Sequence, residues 1–514
     1  MNRLTARGLR VVLLMAILSI VMFANQASAN TITYGPYAVV IDPVPPDTTY
    51  SVKIVWRTSQ ASADNIAWVG TMSNTDVNNS TYHEVLFTGL VGDTSYEFRV
   101  RTDDAESLTY AFLTRPNLLT NGSFEVWEGG ADPTIFDSGY KPVGWNGWEI
   151  YKYEEQPTTN PDHVHISMDR PTGIPTPASR DGIHRASIDA GWRSCFGGMY
   201  QTLNVTPGYY QVSGWMAWTM DASDKTLGIY AKDGDHVNPS TNISANVPVG
   251  ATTIYVQSTA GFKVPGPGER CTAFITKKTG GIGDPHGDTF TYSGLQSDRF
   301  TGVQGIDYAH DKNNAEENQV KQVPEIWNGT GSPGNKWQPI YTKSGVSTQT
   351  DWAYGEKVVY CSSGKLTIYC NLKSPSWAGV TTSHYDGLRV SAALEPVQIT
   401  DVQVVKAVDP NNPDTKVLIT WQTSVPTASW MEYGPTSSYG TIIQDAAPKT
   451  SHSVTLSGLE AQKAYYFHIH APAAGGHPTG DYASSFVTPI QFSGIQEVRA
   501  VAPDQTTYNY TINF

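Results

Sequence analysis

Two distant parts of the chain repeat the same series of short phrases, and this repeat constrains the fold more than any other feature. The first set lies within 52–116 and the second within 417–489. In order, the matched phrases are VKIVWRT and VLITWQT, HEVLFTGL and HSVTLSGL, TSYEFRV and KAYYFHI, and AFLTRP and SFVTP. Apolar and polar residues alternate within each phrase, as they do in a strand with one buried face. The repeat therefore predicts two similar β-sandwiches.

Both copies resemble fibronectin type III domains. Trp56 and Trp421 stand where that family has the core tryptophan of its second strand, and Tyr96 and Tyr465 stand at its corner position. The phrase SWMEYGPTSSYG in the second copy is also similar to the N-terminal, fibronectin-like domain of purple acid phosphatases. That similarity stops at the accessory domain, because the metal-binding Asp, Asn and His motifs of the phosphatase domain have no counterpart in the sequence.

Residues 1–29 have the three parts of a secretory signal. A segment with three arginines precedes an apolar run from Val11 to Ala24, and the tripeptide ASA at 27–29 fits the small-residue cleavage rule. No second apolar run of spanning length follows, so the sequence predicts an exported protein without a membrane span after cleavage. An uncleaved anchor is the alternative.

The charge balance argues against one class of partner. The formal net charge is −13, and no run of Lys and Arg occurs after the signal. Nucleic-acid binding needs clustered cations to neutralise phosphates, so we do not expect it. Charged residues make up only 16% of the chain, while Gly, Pro and aromatic residues are abundant. This composition is typical of an extracellular β-rich protein.

The four cysteines are Cys195, Cys271, Cys361 and Cys370. Export permits disulfides, and the three possible full pairings stay open. The phrases VVYC and LTIYC, joined by SSGK, are predicted to be paired consecutive strands. In that register Cys361 would face Leu366, so a direct bridge to Cys370 is not the obvious outcome.

The middle of the chain contains a second ordered series of motifs. These are NLLTNGSFEVWEGG from Asn117, then PVGWNGWEIYKY, then GGMYQTLNVTPGYYQVSGWMAW, and finally SHYDGLRV around Asp386. The series resembles the galactose-binding-like jelly roll of carbohydrate-binding modules in polysaccharide-degrading systems. That resemblance implies a sandwich of two sheets and a sugar ligand.

A change of composition interrupts this series near 240–322, where tryptophan is absent and Thr and Gly are frequent. We interpret this stretch as a small all-β insertion, since loop tips tolerate such insertions. The predicted fold class is all-β, a multidomain chain of β-sandwiches. Its expected parts are a signal at 1–29, a fibronectin type III-like domain at 30–116, a jelly roll at 117–239 and 323–396 with its insertion at 240–322, a second fibronectin type III-like domain at 397–490, and a C-terminal strand or tail at 491–514.

Ten of the 14 tryptophans lie in the jelly-roll segments. A flat aromatic ring covers the apolar face of a sugar, and polar side chains at its rim bind the hydroxyls. Core packing is the competing explanation for each ring. Residues near loops or with polar neighbours are the candidate carbohydrate ligands: Trp148, Tyr151, Glu154, Trp192, Arg193, Trp218 and Trp337.

Two kinds of metal site are conceivable. In the related jelly rolls a structural calcium ties the first strand to the last, and Glu125 and Asp386 match that pattern. Where the family has a second acidic residue on the last strand, this chain has Gly387. His163 and His165 would share a face of a strand, but the sequence identifies no third ligand.

Enzyme motifs are absent from the sequence: it has no G-x-S-x-G elbow, H-E-x-x-H, P-loop or dinucleotide fingerprint. The leading hypothesis is therefore an exported, non-catalytic protein that binds polysaccharide or a surface glycan, with other cell-surface proteins as further partners. One alternative is a structural or adhesive surface spacer without a ligand. Another is a glycoside hydrolase or lyase with an unrecognised site. Solvent exposure of the jelly-roll aromatics distinguishes the first two hypotheses.

Overall fold

The protein is an all-β chain of several sandwiches. The structure, a computed structural model, describes residues 30–44, 46–107, 109–129, 140–151, 165–168, 180, 184–191, 195–277, 287–315, 318–328, 333–334, 336–374, 381–409, 412–472, 474, 477–488, 500–501 and 508–509. Every regular element in these ranges is a β-strand. Within the same ranges, no helix has the length and apolarity to cross a bilayer. The chain divides into two compact units, Met1–Arg115 with Leu394–Phe514, and Pro116–Ala393.

The N-terminal copy of the repeat has two sheets. Its strands are β1 (Ile32–Ile41), β2 (Tyr50–Ser62), β3 (Asn65–Val69), β4 (Met72–Asp76), β5 (Ser80–Leu90), β6 (Ser95–Thr102), β7 (Ala105–Glu106) and β8 (Tyr110–Leu113). One sheet has the order β1-β2-β5, and the other has the order β4-β3-β6-β7 with β8 also paired to β6. The alternation read from the sequence places Val52, Ile54 and Trp56 in the core between them.

Nineteen strands lie in the described part of the central unit. They are β9 (Trp127–Gly129), β10 (Tyr140–Pro142), β11 (Asn146–Tyr151), β12 (His165–Met168), β13 (Ala186–Gly191), β14 (Cys195–Asn204), β15 (Gly208–Met220), β16 (Thr226–Asp233), β17 (Ser240–Asn242), β18 (Thr253–Tyr255), β19 (Cys271–Thr276), β20 (Gly287–Tyr292), β21 (Gly294–Gln296), β22 (Arg299–Thr301), β23 (Gln319–Gln322), β24 (Gln338–Ser344), β25 (Ser347–Cys361), β26 (Lys365–Ser374) and β27 (Thr381–Ala393).

Two five-stranded sheets form the jelly roll, with orders β11-β14-β26-β16-β24 and β12-β13-β27-β15-β25. A core that includes Trp145, Met216, Ile229 and Tyr385 lies between them. The PVGW segment forms a tight turn, in which the Trp145 N–H donates to the Pro142 carbonyl at 3.1 Å. Strands β9 and β10 form a separate pair.

The sequence interpretation of VVYC and LTIYC as a paired hairpin is wrong. Strand β25 pairs with β15, whereas β26 pairs with β14 and β16 in the opposite sheet. The SSGK turn therefore crosses from one layer of the sandwich to the other. VVYC is buried at alternating positions and LTIYC is buried throughout, and neither pattern says which sheet a strand joins. Cys361 and Cys370 are buried as free thiols, as is Cys271.

The stretch 240–322 forms two small sheets of its own, β17-β23-β19-β20 and β18-β22-β21. Their core includes Ile254, Phe290, Tyr292 and Phe300, which are all fully buried. The boundaries proposed for this insertion, and for the other parts, stay predictions.

The C-terminal copy has longer, uninterrupted strands. These are β28 (Ile399–Asp409), β29 (Asn412–Gly434), β30 (Thr441–Leu459), β31 (Ala464–Ala471) and β32 (Gly480–Val487), followed by the short pair β33 (Ala500–Val501) and β34 (Tyr508–Asn509). The first half of β29 pairs with β28, and its second half pairs with β31. Strand β29 therefore occupies the positions that β2 and β3 together occupy in the N-terminal copy. Trp421 is 1% exposed and Trp56 is 0% exposed, so the predicted core tryptophans are confirmed.

Candidate functional site

The outer face of the second jelly-roll sheet carries a row of polar and aromatic side chains. On strand β15, Tyr210, Val212 and Met216 lie in the core. Alternation then directs Tyr209, Gln211, Ser213 and Trp215 outward. Because β15 lies between β25 and β27, each outward residue has neighbours on both sides.

Cross-strand register assembles these side chains into one surface. On β25, Tyr360 lies opposite Tyr209, Glu356 opposite Ser213, and Tyr354 opposite Trp215. On β27, Arg389 lies opposite Ser213. We define the polar-aromatic face as this set: Tyr209, Gln211, Ser213, Trp215, Tyr354, Glu356, Tyr360 and Arg389.

The two ends of the polar-aromatic face differ in accessibility. At one end the rings of Tyr209 and Tyr360 are 4.9 Å apart, and Tyr360 is 48% exposed. At the other end the rings of Trp215 and Tyr354 are 5.0 Å apart, and both side chains are buried. The Arg180 guanidinium lies over Trp215, 4.4 Å from the ring centre. Only the Tyr209–Tyr360 end therefore offers aromatic surface to a ligand.

Hydrogen-bonding side chains occupy the middle of the face. The Gln211 amide donates to Glu356 Oε2 at 2.9 Å, and the Tyr354 hydroxyl bonds both Glu356 and Ser213. Burial raises the pKa of Glu356 to about 7, against the opposing effect of its bonds to Tyr354 and Gln211. Near neutral pH this carboxyl is therefore present in both protonation states, and it can donate or accept a hydrogen bond.

Two of the tryptophans proposed from the sequence lie in a different environment. Trp148 and Trp337 are 3% and 4% exposed, with ring centres 5.1 Å apart. They belong to an aromatic cluster on the outer face of the other jelly-roll sheet, together with Ile150, Phe196, Tyr230, Phe274 and Tyr369. Phe274 comes from β19 of the insertion, so the cluster packs the insertion against the jelly roll. Neither ring has a face open to a sugar.

The remaining proposed sugar ligands are also accounted for. Trp218 is 5% exposed and packs in the main jelly-roll core, where its indole N–H donates to Ser347 at 2.7 Å. Glu154, Trp192 and Arg193 lie outside the described residues, as does the side chain of Tyr151. His163 and the side chain of His165 lie outside them too.

The proposed calcium residues, Asp386 and Glu125, accept backbone N–H groups. Asp386 is fully buried and accepts N–H bonds from Arg180 at 2.6 Å and Gly387 at 2.7 Å. Glu125 accepts the His184 N–H at 2.8 Å. A calcium ion needs six to eight oxygen ligands, whereas these carboxylates face N–H donors. These contacts do not test the calcium expectation, which stays a prediction that a chelator can test.

Gly122 of the NGSFE motif shows why that motif matters structurally. A Cβ at this position would lie 2.1 Å from the Leu388 carbonyl oxygen, so only glycine permits the approach. The Leu388 N–H donates to the Gly122 carbonyl at 2.8 Å, and the Asn117 amide donates to Leu388 at 2.8 Å. The motif is therefore explained by packing against β27.

Sequence reasoning missed the accessible tyrosines of the polar-aromatic face. In GYYQVSGW, Tyr209 and Gln211 alternate with the residues that face the core, so the sequence itself indicated that they point outward. Tryptophan content directed attention elsewhere, because the largest rings are also the best core residues. The partners on β25 and β27 depend on long-range register, which the sequence does not encode locally.

Comparisons with known proteins give only remote likenesses. No family model and no curated relative matches the chain. Among solved structures, β-glucuronidase 3 of Bacteroides uniformis has a TM-score of 0.17 at 8% identity, over 57% of this chain and 27% of that one. The adhesin domain of Epf from Streptococcus pyogenes has a TM-score of 0.17 at 9% identity, over 60% and 78%. Chicken CNTN1 FN1-FN3 domains have a TM-score of 0.15 at 11% identity, over 90% and 99%. These values do not assign a family, so the site is argued from its own geometry.

Proposed function

We propose that the chain is an exported, non-catalytic protein that binds polysaccharide or a surface glycan through the polar-aromatic face. The observation that carries this proposal is the pairing of an exposed aromatic end, Tyr209 with Tyr360, with a row of hydrogen-bonding side chains. A sugar ring stacks on an aromatic surface and offers hydroxyls at its rim. Gln211, Glu356 and Arg389 supply donors and acceptors in line with the tyrosines.

The face is better suited to binding than to hydrolysis. Glycoside hydrolysis needs two carboxyl groups on either side of the scissile bond. Glu356 is held by Gln211 and Tyr354, and Asp386 is buried with N–H donors on both oxygens. A face with one half-buried carboxyl can orient a sugar, and the residues that the structure describes supply no free acid opposite it. Export, which the N-terminal sequence predicts, would place this face where polysaccharides occur.

Weak affinity is expected because the accessible aromatic surface is small. Shallow polar sites with few anchors bind in the range of roughly micromolar to millimolar. Calorimetry with the full chain against plant, bacterial and animal polysaccharides tests the proposal. Tyr360→Ala and Tyr209→Ala should each weaken binding by roughly ten-fold or more, the scale of one lost stacking contact of about 1.5 kcal/mol.

Tyr255→Ala is the matched control, because Tyr255 is 42% exposed but lies on β18 of the insertion. It should leave the heat of binding unchanged. The proposal fails if no polysaccharide gives heat with the unmodified chain. It also fails if the control weakens binding as much as Tyr360→Ala does.

A structural or adhesive role is the second candidate function. The burial of Trp148, Trp218 and Trp337 favours this role, because packing explains why these three tryptophans are present. On this alternative, Tyr209 and Tyr360 would contact another protein at a cell surface. Absence of glycan binding, together with a protein partner whose binding depends on Tyr360, would support this role in place of the first.

A further inference from the structure

A histidine pair on the C-terminal copy forms a metal-ligand arrangement unrelated to the polar-aromatic face. In β31, Tyr465, Phe467 and Ile469 are core residues. Alternation places His468 and His470 together on the opposite face. Their rings are centred 3.9 Å apart, and both side chains are partly accessible, at 26% and 16%.

Neighbouring strands bring two carboxylates to the same place. Glu432 on β29 lies directly opposite His468, and Asp481 on β32 lies directly opposite His470. Directly opposed residues in antiparallel strands have Cβ atoms about 4.5–5.5 Å apart, which is close enough for shared coordination. One ligand atom each from Glu432, His468 and His470 lies within 4.8 Å of the other two.

Asp481 holds His470 in the orientation that a metal ligand needs. Its Oδ1 lies 2.6 Å from His470 Nδ1, so the proton is fixed on that nitrogen. The other ring nitrogen, Nε2, then presents its lone pair 3.9 Å from Glu432 Oε2. This Nε2 is shielded from solvent and has no hydrogen-bond partner among the described residues. A histidine that donates one N–H to a carboxylate and binds metal through the other nitrogen is a recurrent arrangement in zinc proteins.

Aromatic side chains restrict the movement of both histidines. The Trp430 ring stacks on His470 with centres 4.5 Å apart and planes 15° apart, and Tyr439 lies 5.8 Å from His468. Preoriented ligands lose less freedom on binding than mobile surface side chains do. The site is therefore built on paired strands and is supported on two sides.

A second group of potential ligands in the chain shows the opposite situation. Glu269, Cys271 and Glu325 also lie within reach of one another, but the Lys263 ammonium is 2.6 Å from both carboxylates. Burial raises the pKa of the Cys271 thiol to about 12, which disfavours the thiolate that binds metal. In that group the Lys263 ammonium is already paired with both carboxylates.

We propose that Glu432, His468 and His470 bind a divalent transition-metal ion of the zinc type, with Asp481 as the positioning residue. Imidazole and carboxylate ligands suit zinc, copper and nickel, and three protein ligands leave a fourth position for water. The ligand atoms need a modest contraction, since tetrahedral zinc ligands at about 2.0–2.2 Å from the metal lie roughly 3.3 Å apart.

Calorimetry with zinc chloride and the full chain tests this proposal. One equivalent should bind, and calcium or magnesium chloride should not compete, because hard cations prefer all-oxygen sites. His468→Ala and His470→Ala should each reduce zinc affinity at least about 100-fold, and Asp481→Asn should reduce it roughly 10- to 100-fold. His470→Gln repeats the test with a side chain of similar bulk if the alanine variant is poorly folded.

Controls separate this site from other zinc ligands in the chain. Tyr466→Ala alters an exposed residue of the same strand and should leave affinity unchanged, as should Cys271→Ser and the pair His163→Ala with His165→Ala. Cobalt(II) should give visible absorption bands that are lost in His470→Ala. The proposal is overturned if the unmodified chain takes up no zinc at millimolar concentration. It is equally overturned if zinc uptake survives removal of both His468 and His470.

Discussion

The two fibronectin type III-like copies share a buried framework and differ on one exposed face. In both, a core tryptophan packs on a histidine that is bonded to a threonine and an aspartate. In the N-terminal copy these are Trp56, His83, Thr58 and Asp76, with both histidine bonds at 3.2 Å. In the C-terminal copy they are Trp421, His452, Thr423 and Asp445, again with both bonds at 3.2 Å. The recurrence shows that these histidines are structural parts of the sandwich.

The corner tyrosines are conserved between the copies in the same way. The Val91 N–H donates to the Tyr96 hydroxyl at 2.9 Å, and the Glu460 N–H donates to the Tyr465 hydroxyl at 3.1 Å. Strand register also shows where the exposed faces of the two copies differ. Arg99 and Arg101 on β6 occupy the positions that His468 and His470 occupy on β31. Arg99 lies opposite Trp68, whereas His468 lies opposite Glu432.

In the arginine version of this face, each guanidinium group lies close to a carboxylate. Arg99 forms an ion pair with Glu106 at 2.9 Å and lies over the Trp68 ring at 4.4 Å, while Arg101 forms an ion pair with Asp64 at 3.3 Å. The histidine version instead leaves His470 Nε2 without a hydrogen-bond partner among the described residues, 3.9 Å from Glu432. The same fold position can therefore carry an ion-pair lattice or a metal-ligand set, and the framework beneath it does not change.

The largest expected effect tests whether the shared framework supports each copy separately. Trp56→Ala and Trp421→Ala should each destabilise by roughly 3–5 kcal/mol, the usual cost of truncating a buried aromatic. Hydrogen exchange followed by mass spectrometry should show faster exchange in peptides of the mutated copy. Trp430→Ala, at a partly exposed position, is the control. Equal loss of protection in both copies from either change would contradict two separate cores.

A smaller effect should expose a difference inside the two cores. The Trp56 indole N–H donates to Thr102 at 2.8 Å, and Thr102 in turn donates to Asn65 at 2.8 Å. In the C-terminal copy Ala471 replaces that threonine, and Trp421 Nε1 has no hydrogen-bond partner among the described residues. Thr102→Ala should therefore destabilise by about 1–3 kcal/mol, the cost of a buried unsatisfied donor.

The reciprocal change is the sharper test of the same difference. Ala471→Thr should stabilise the C-terminal copy by about 0.5–1.5 kcal/mol, because it can give the Trp421 N–H an acceptor. Ala471→Val adds similar bulk without an oxygen and is the control. Urea unfolding measures all three. If valine stabilises as much as threonine, packing rather than hydrogen bonding explains the effect.

Acidification should reveal a weaker contribution from the buried histidine of the N-terminal copy. Burial lowers the pKa of His83 below its ordinary 6.5, against the opposing effect of Asp76. A histidine with a lowered folded pKa binds fewer protons folded than unfolded, so its contribution is present above pH 6.5 and lost as pH falls. Unfolding of this copy should become easier below about pH 6.5. His83→Asn should flatten that dependence, and an unchanged pH profile would contradict the argument.

The sequence predicted the repeated framework well and the sites poorly, for one physical reason. Alternation and turn residues encode which residues of a strand are buried, so Trp56, Trp421 and the corner tyrosines were predictable. Which strands become neighbours depends on long-range pairing, and this decides both the polar-aromatic face and the histidine cluster. The phrase FHIH shows two histidines on one strand face, but nothing in the sequence places Glu432 and Asp481 beside them. Trp148 and Trp337 are buried because the insertion packs over that face of the sheet, and a local sequence pattern does not show such packing.

Transferring the histidine cluster to the N-terminal copy should have the smallest effect on stability and gives the most direct test of the comparison. The changes Trp68→Glu, Arg99→His and Arg101→His reproduce the ligand positions of β29 and β31. Glu106, which lies opposite Arg101 as Asp481 lies opposite His470, would become the positioning carboxylate. Only partly exposed contacts are lost, and surface changes of this kind usually alter stability by about 0.5 kcal/mol or less each.

Calorimetry of the triple variant should then show two zinc equivalents per chain where the unmodified protein shows one. Omitting Trp68→Glu should reduce the second affinity, because one of three ligands is missing. If the triple variant folds and still binds a single equivalent, the position within the sandwich is not what makes the site, and the aromatic support from Trp430, which Ile66 replaces in the N-terminal copy, becomes the feature to transfer next.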